Sequence, residues 1–482
     1  MRKIVTLLLL VCFLTALLSG CGSNNADNGE PVKLVWYLMG DKPKDFDKVM
    51  AKVNEYTKEK INCTVELKLL PWDSYQTKIE SATMAGEKWD ICFTSFWMLN
   101  YPRYARKGFF YPLNDLLPKE GAGVSKCLDN MPQYIEATKI GNEIFAVPVY
   151  NGAGYWQGYY FDKAKIDKYG FDLSGVKRVE DLFPLFDKVK IDYPQMVSID
   201  NYWWMDDRDK YDFIVDSDFP GVIRVDDKNC KVINQYEDPA YMNTLKKFRM
   251  LYQKGYTFKG ETDRPGGDLV RNGKVFCTVD TLGIFSNQDW SAAGKMQFVS
   301  VPVFPKPVAK STEVALGEMM AINAQSEHPE AAMKFINLLY TDKYLMTLLC
   351  DGIEGVHYTK ISSNTIKPMG GDYTLPDWLF GFKCLLPVME GVPEDKWQKI
   401  MAADKSAIVA TDFGFIPDLG PVTNEVSNIK NIVEQYVKTI KRGSVDPEIA
   451  VPEFVAKLKA GGLEKYLAEM QHQVDAWKAN KK

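Results

Sequence analysis

VKLVWYL (residues 32–38), CTVELKL (63–69) and DICFT (90–94) decide the fold, because each is a short apolar run typical of a strand. Helical spacing separates the first two, with apolar side chains at Phe46, Val49, Met50, Val53 and Tyr56. A second helical pattern runs over residues 72–85 and ends at Gly86. The order β-α-β-α-β predicts a parallel sheet, because crossovers between parallel strands are right-handed. Ligands of such sheets bind outside the carboxyl ends of the strands.

Aromatic and polar side chains gather where these predicted strands end. We therefore predict ligand contacts from one rim, formed by Trp36, Met39, Asp41, Phe96, Trp97 and Asn100. Trp72 follows the second strand at the same rim. Packing inside the lobe is the alternative for Trp97, and it is the favoured interpretation for Trp36 and Trp72, which lie nearer to regular elements.

A second α/β series follows a glycine-containing segment, YNGAG (150–154), which lies between two strand-like runs. Such a segment can absorb backbone rotation, so we predict a hinge there, with Tyr150 and Asn151 as ligand contacts. Beyond it, the loop DNYWWMDD (200–207) follows a strand-like run and combines stacking and hydrogen-bonding groups. The predicted contacts of this second series are Asp200 and Trp203 in that loop, and Asp280 and Phe285 at the end of a later strand, KVFCTVD (274–280).

The N-terminal segment MRKIVTLLLLVCFLTALLSGC (1–21) has two positive charges, an apolar run and small residues before a cysteine. The apolar run is too short for an ordinary membrane span and predicts a signal peptide over residues 1–20. LSGC resembles a bacterial lipobox, which implies that Cys21 is lipidated and that the polar segment 21–31 is a tether. An ordinary secretory signal is the alternative. No apolar stretch of 18 or more residues follows the signal in the sequence.

Composition excludes several classes of protein. The chain has 482 residues, enough for two cores, and a net charge of −4, which provides no field for nucleic acid. Three histidines offer little for a metal site, so we expect neither a metal nor a cofactor. The acids of the 206–212 loop lack the spacing of a calcium loop. Seven cysteines follow Cys21 without any CxxC motif, and we expect mostly buried free thiols.

The order of motifs resembles the family-one, carbohydrate-associated solute-binding proteins of bacterial ABC importers. The matching stretches are MAGEKWDICFTSFW (84–97), RKGFFYPLNDLL (106–117), NEIFAVPV (142–149), FDKAKIDKYGFD (161–172), LKKFRMLYQKGY (245–256) and HPEAAMKFINLLYTD (328–342). GIEGVHY (352–358) and the tail from residue 413 resemble the LplA-like subgroup, which carries an extra C-terminal domain of unknown function.

The resemblance implies an α/β, two-lobe periplasmic-binding-protein-like fold (type II) with hinge strands and an added, mostly helical C-terminal region. Lobe 1 would combine residues 32–148 and 298–360. Lobe 2 would combine residues 150–296 and 361–482. Such proteins close around a ligand and dock on a permease, while a separate subunit hydrolyses ATP, in agreement with the lack of a GxxxxGK[ST] motif in this sequence.

Two late residues complete the predicted site. Glu354 stands near His357 in sequence, and a structural or hinge-linked role is favoured over ligand contact. Trp378 would approach the cleft from the added region.

We expect a non-enzymatic, monomeric receptor for a sugar, most consistent with an oligosaccharide because of the many aromatics. A surface-anchored glycan hydrolase, or a receptor for another solute such as a peptide, are the alternatives. Neither GxSxG nor HExxH occurs in the sequence.

Overall fold

The structure is a computed structural model that describes residues 29–481, except residues 130–131, 153–154, 206, 208, 260–265, 293–295, 305–306, 309 and 371–372. The predicted signal peptide, Cys21 and most of the predicted tether lie outside the described residues. No helix in the described part of the chain is long and apolar enough to cross a membrane. The seven cysteines from Cys63 onward are all free thiols, five of them buried and two half-buried.

The first sheet has five strands and contains the three apolar segments at residues 32–38, 63–69 and 90–94. Its order is Cys63–Leu70, Val32–Met39, Ile91–Thr94, Met319–Ile322 and Ala146–Pro148. The first three strands are parallel, as the β-α-β-α-β pattern predicts. Met319–Ile322 runs antiparallel to both of its neighbours. The central strand Val32–Met39 is buried from Trp36 to its end, which explains its continuous apolar sequence.

The second sheet has four strands, in the order Phe298–Pro302, Trp156–Asp162, Val275–Leu282 and Val197–Asp200. The last two strands are parallel, and both end at the same edge. Three smaller sheets are formed by Val232–Ile233, Val222–Arg224 and Tyr211–Phe213; by Tyr358–Lys360, Thr365–Pro368 and Val388–Met389; and by Lys139–Ile140 and Glu143–Ile144.

Helices cover both main sheets. The α-helices are Phe46–Ile61, Tyr75–Met84, Tyr101–Arg106, Leu116–Glu120, Ala122–Leu128, Pro132–Ala137, Lys163–Tyr169, Phe183–Asp192, Pro239–Gln253, Gly266–Arg271, Ser286–Ala292, Thr312–Ala315, Pro329–Thr341, Lys343–Asp351, Lys396–Ser406, Thr423–Arg442, Pro447–Ala460 and Leu463–Asn480. Short 3₁₀ turns are Leu173–Gly175, Val179–Leu182, Tyr202–Trp204, Gln235–Glu237, Lys383–Leu385 and Gly420–Val422.

Two large apolar cores define two lobes. The first core is built from side chains between Leu34 and Tyr150 and between Ala315 and Phe413. The second is built from side chains between Tyr159 and Val303 and between Phe415 and Val474. The C-terminal helices belong to the second: Thr423–Arg442 buries Ile429, Val433, Val437 and Ile440 along one face, as its sequence period predicts.

The chain crosses between the lobes at points that differ from the expected boundaries. We placed residues 298–360 in lobe 1, but Phe298–Pro302 pairs with Trp156–Asp162 in the second sheet. We placed residues 361–482 in lobe 2, but Leu375, Phe380 and Trp397 belong to the first core. The second boundary differs because the chain crosses between the lobes a third time, near residue 414. The segment before that crossing still packs into the first core.

The three crossings lie side by side and hydrogen bond to one another. The Val308 N–H donates to the Tyr155 carbonyl, at 2.8 Å, which joins the first crossing to the second. Lys310 joins the second crossing to the third. Its backbone N–H donates to the Ile408 carbonyl at 2.6 Å, and its carbonyl accepts the Ala410 N–H at 2.8 Å. We call these three segments the hinge region: they lie between Tyr150 and Tyr159, between Val303 and Ala315, and between Ile408 and Phe415.

A buried ion pair holds the hinge region together. Lys310 Nζ lies 3.1 Å from Asp404 Oδ2, and both side chains are almost completely buried. The Tyr134 hydroxyl donates to the other Asp404 oxygen at 3.0 Å. Burying a charge is costly unless it is paired, so each partner requires the other.

Lys310→Ala should therefore reduce the free energy of unfolding by about 3 to 5 kcal/mol, because it leaves the Asp404 carboxylate buried without its cation. Lys334→Ala is the matched control, since Lys334 forms a longer, partly exposed pair with Glu120 at 3.8 Å, and it should change stability by less than about 1 kcal/mol. Urea unfolding of both variants measures the difference. Equal effects of the two substitutions would contradict the structural role of the hinge pair.

Candidate functional site

The polarity of the strands brings several loops to one edge of the first sheet. The strands Val32–Met39, Cys63–Leu70 and Ile91–Thr94 are parallel and end at this edge. Because Met319–Ile322 is antiparallel to Ile91–Thr94, it begins there, and Ala146–Pro148 ends there beside it. The segments after residues 70, 94 and 148, and the segment before residue 319, are therefore neighbours.

Three tryptophans form a cluster at this edge. The ring centroids of Trp72 and Trp97 are 6.3 Å apart with 20° between the planes, and those of Trp72 and Trp378 are 5.8 Å apart with 22°. Trp97 and Trp378 close the triangle at 6.3 Å. Trp72 is 42% exposed and Trp97 is 40% exposed. We call these three residues the tryptophan cluster. Such flat, partly exposed apolar surface is suited to stacking against a ligand ring.

Two tryptophans of the cluster, Trp97 and Trp378, are held by the chain around them. The indole Nε1–H of Trp97 donates to the Gly317 carbonyl at 2.7 Å. The Ser95 hydroxyl oxygen accepts the Met98 N–H at 2.7 Å, which fixes the loop that carries Trp97. Trp378 is tied to the hinge region, because the Asn151 side-chain amide donates to the Trp378 carbonyl at 3.0 Å. The cluster is therefore a fixed platform with a direct connection to the hinge.

Glu318 lies next to the cluster and was not found by sequence reasoning. It follows Gly317 and precedes the strand Met319–Ile322, and its carbonyl accepts the Val149 N–H at 2.8 Å. Burial raises the pKa of the Glu318 carboxyl to about 7, and a hydrogen bond with the Asn151 side chain only partly opposes this shift. The sequence signal that could have identified Glu318 as a site residue is its position, a charged residue directly before the apolar run MMAI.

The second lobe contributes its own polar and aromatic groups at the edge near the hinge region. Asp280 lies opposite Gly158 in the neighbouring strand, between the register positions of Trp156 and Tyr160. Burial raises the pKa of Asp280 to about 6, while the Thr281 N–H donates to its carboxylate at 2.7 Å. Trp290 stacks on Tyr160, with centroids 4.1 Å apart. Half-buried Trp156 begins the strand Trp156–Asp162 at this edge, and sequence reasoning did not select it as a site residue.

The two lobes also touch directly near this edge. Lys396, whose helix is packed on the first core through Trp397, lies 2.7 Å from Asp289 of the helix Ser286–Ala292. Phe285 is buried, with the Lys399 ammonium 5.9 Å from the centre of its ring. Phe285, which we selected as a ligand contact, therefore lies in this contact between lobes.

One residue predicted at the first rim, Met39, lies in the core instead, and Trp36 lies there too, as the favoured packing interpretation predicts. Trp36 is fully buried between Phe335 and Phe380, with ring centroids 5.5 and 5.2 Å away. Met39 is also fully buried in the first core. The reason is that Val32–Met39 is the second strand of a sheet covered on both faces, so its last side chains point into packed protein. Trp72, for which core packing was favoured, is instead exposed in the cluster.

The remaining residues of the first rim differ in their surroundings. Asp41 is exposed and Phe96 is half-buried against the first core. Asn100 caps the helix Tyr101–Arg106, because its side-chain oxygen accepts the Arg103 N–H at 3.1 Å. Tyr150 is almost fully buried in the hinge region, where its ring packs against those of Tyr134 and Phe382. Asn100 and Tyr150 therefore have structural surroundings, whereas Asn151 lies beside Trp378 and Glu318.

Three predicted contacts are separated from the tryptophan cluster. Trp203 packs against the second core and meets Tyr202 edge to face at 5.5 Å. Asp200 is buried at the end of its strand. Glu354 is exposed on the Tyr358 side of lobe 1, where it pairs with Lys360 at 2.5 Å. The loop that carries Trp203 turns back onto its own lobe.

The site offers binding groups rather than metal ligands. No set of three histidine, cysteine, aspartate or glutamate side chains within the described ranges is arranged to hold a metal ion. Asp207 of the acidic loop is buried and accepts the Thr244 hydroxyl at 2.6 Å. Aromatic faces next to an amide and carboxyl groups are the combination that a sugar ring requires, because it has one apolar face and a rim of hydroxyls.

Comparisons with known proteins identify the family of the chain and a relative of it. The model of the family "Bacterial extracellular solute-binding protein" matches residues 40–346, and that of "Domain of unknown function (DUF3502)" matches residues 412–479. A carbohydrate ABC transporter substrate-binding protein of Streptococcus pneumoniae serotype 4 is 30% identical over 474 residues, which are 96% of this chain and 95% of the relative.

Solved structures give the same result. The N-glycan transport solute-binding protein NgtS of Streptococcus pneumoniae in complex with Man5GlcNAc is 30% identical, with a TM-score of 0.82 over 94% of this chain and 99% of that chain. Its complex with Man1GlcNAc also gives 0.82, at 29% identity over 92% of this chain and 99% of that chain. Alginate-binding protein AlgQ2, at 13% identity and a TM-score of 0.63 over 92% of this chain and 98% of that chain, supports the fold alone. The chain belongs to the bacterial extracellular solute-binding protein family.

Proposed function

We propose that the chain is the substrate-binding lipoprotein of an ABC importer, which captures an oligosaccharide between its lobes and delivers it to a membrane permease. The observation that carries this proposal is the tryptophan cluster. Three indoles from three separate segments of the chain meet at the ligand-facing edge of the first sheet, and two of them remain about 40% exposed. A soluble domain normally buries such large apolar groups unless they serve recognition.

The size of the cluster favours an oligosaccharide over a single sugar. Its three ring centroids lie about 6 Å apart, so they can support more than one sugar ring along a chain. The relative NgtS is solved with Man1GlcNAc and Man5GlcNAc, which makes mannose-containing N-glycan fragments the first ligands to test. Stacking would supply apolar contact, and Asn151, Glu318 and Asp280 would supply hydrogen bonds to hydroxyls.

Lobe closure would complete the site. The tryptophan cluster belongs to lobe 1 and Asp280 to lobe 2, so one ligand contacts both only when the lobes approach. The three hydrogen-bonded crossings provide the axis for that motion, and the left-handed Gly152 (φ 79°) marks one point of bending. Exclusion of water on closure strengthens each hydrogen bond to the ligand.

Binding without catalysis is the activity that the relatives support, because they are substrate-binding proteins. The hydrolase alternative requires two carboxyl groups on opposite sides of a glycosidic bond. Incubating the purified protein with Man5GlcNAc and analysing the products by mass spectrometry separates the two functions. Intact ligand is expected, and a shortened glycan would overturn the binding-protein assignment.

Trp97→Ala and Trp378→Ala should each weaken binding of Man5GlcNAc by about tenfold. One stacking contact is worth about 1 to 3 kcal/mol in comparable aromatic sites, and 1.4 kcal/mol corresponds to a factor of ten. Isothermal titration calorimetry measures the change.

Trp203→Ala is the matched control for this prediction. It removes an indole that packs on the second core, so it should lower the melting temperature and leave the affinity nearly unchanged. Normal affinity in both cluster variants, or a large loss of affinity in the control, would remove the tryptophan cluster from the site.

Closure should appear as a smaller radius of gyration in small-angle X-ray scattering when Man5GlcNAc is added. The Trp97→Ala variant should need about tenfold more ligand to reach the same compaction, because the ligand drives closure only through its binding energy. An unchanged radius of gyration at saturating ligand would show that binding does not require lobe closure.

Lipidation of Cys21 should anchor the protein to the membrane. Cys21→Ala should release the protein from the membrane fraction, whereas Cys12→Ala, which changes a cysteine within the apolar run, should leave it attached. Fractionation of cells expressing each variant provides the measurement. Retention of the Cys21→Ala variant in the membrane fraction would contradict a lipid anchor at this position.

A further inference from the structure

The backbone around Glu318 is fixed on both sides. The Phe96 N–H donates to the Leu316 carbonyl at 2.9 Å, and the Trp97 indole donates to the Gly317 carbonyl at 2.7 Å. On the other side, the Val149 N–H donates to the Glu318 carbonyl at 2.8 Å. Glu318 therefore stands at a defined position between the loop of the tryptophan cluster and the first crossing of the hinge region.

The Glu318 carboxyl group has no ion-pair partner in the described part of the chain. No lysine, arginine or histidine there lies within ion-pair distance of Glu318, and the most influential charge is the more distant Lys383 of the turn Lys383–Leu385. The hinge segment presents the neutral amide of Asn151, and the helix Pro132–Ala137 presents Tyr134. The loop on the remaining side presents Phe96 and Trp97, which do not titrate. The described residues thus hold a poorly solvated carboxyl group without a permanent charged partner.

We propose that Glu318 is a specificity-determining residue, which accepts a hydrogen bond from a hydroxyl of the sugar unit stacked on the tryptophan cluster. This inference rests on the proposed function and deepens it. Ligand hydroxyls are donors, and a carboxylate accepts their hydrogen bonds most strongly when it is ionised. The ligand supplies a hydrogen-bond donor to a carboxyl group that has no cationic partner among the described residues. Asn151, which contacts both Glu318 and the Trp378 backbone, connects this hydrogen bond to the hinge region.

The inference requires the affinity to depend on pH. Burial raises the pKa of Glu318 to about 7, so the free protein carries a proton there below neutral pH. If the ligand binds the protein with Glu318 ionised, the affinity for the ligand is highest above this pKa and decreases as the pH falls through it. The dissociation constant should therefore increase by about tenfold from pH 8 to pH 6.

The test is calorimetric titration of Man5GlcNAc at pH 6, 7 and 8 into three proteins: wild type, Glu318→Gln and Asp351→Asn. Burial and the neighbouring Asp377 raise the pKa of Asp351 to about 7 as well, which makes it a matched control on the same lobe. Wild type and Asp351→Asn should show the tenfold dependence. Glu318→Gln should bind weakly and equally at all three pH values.

Three outcomes would contradict the inference. Persistence of the pH dependence in Glu318→Gln with its loss in Asp351→Asn would assign the titration to Asp351. Equal affinity of wild type and Glu318→Gln at every pH would remove Glu318 from ligand contact, while the oligosaccharide function would stand. Absence of binding by wild type at any pH would instead overturn the proposed oligosaccharide function, and this inference with it.

A measurement on the wild-type protein keeps the test valid if the variant folds poorly. Titration at pH 7 in buffers of different ionisation enthalpy reports proton release, and about half a proton should leave on binding because about half of the free protein is protonated there. Zero release or proton uptake would overturn the inference. The unliganded Glu318→Gln variant should melt at or above the wild-type temperature at pH 8, since it removes a carboxylate that is costly to bury.

Discussion

The buried pair of Lys310 and Asp404 is the interaction on which the arrangement of the two lobes depends. Lys310 belongs to the second crossing and joins the third through its backbone, and Asp404 lies in the last turn of the helix that packs on the first core. Burying these two charges together costs less than burying either alone, so the pair favours the arrangement of the segments that carry them. Two cores can then bend about a defined set of crossings without losing their own packing.

Strand polarity at this junction explains the composition of the site. The tryptophan cluster draws on the segments that follow two parallel strands and on the returning chain near residue 378. Glu318 lies directly before Met319–Ile322, the antiparallel neighbour of Ile91–Thr94. A carboxyl group placed there is surrounded by aromatic rings and backbone, which is why its pKa rises. The same geometry that exposes the indoles therefore also places a hydrogen-bonding carboxyl group, that of Glu318, beside them.

The C-terminal part of the chain serves the two lobes differently. Residues around Leu375 and Phe380 fill the first core and bring Trp378 to the tryptophan cluster, whereas the last three helices pack on the second core. The C-terminal part of the chain thus supplies one indole of the cluster and a scaffold for the second lobe.

The sequence by itself determined the order of the strands and helices and the parallel part of the first sheet, because apolar periodicity reports which face of each element is buried. The family followed from the resemblance of the motifs and their order along the chain. The buried face of Thr423–Arg442 followed from local pattern alone. Only the tertiary structure decided that Met39 is core, that Trp203 packs on its own lobe, and that Trp72, Trp97 and Trp378 meet. A local pattern carries no information on which distant segment will cover a side chain. For Trp378 and Glu318, 60 residues apart in sequence, that information lies in how the chain crosses between lobes.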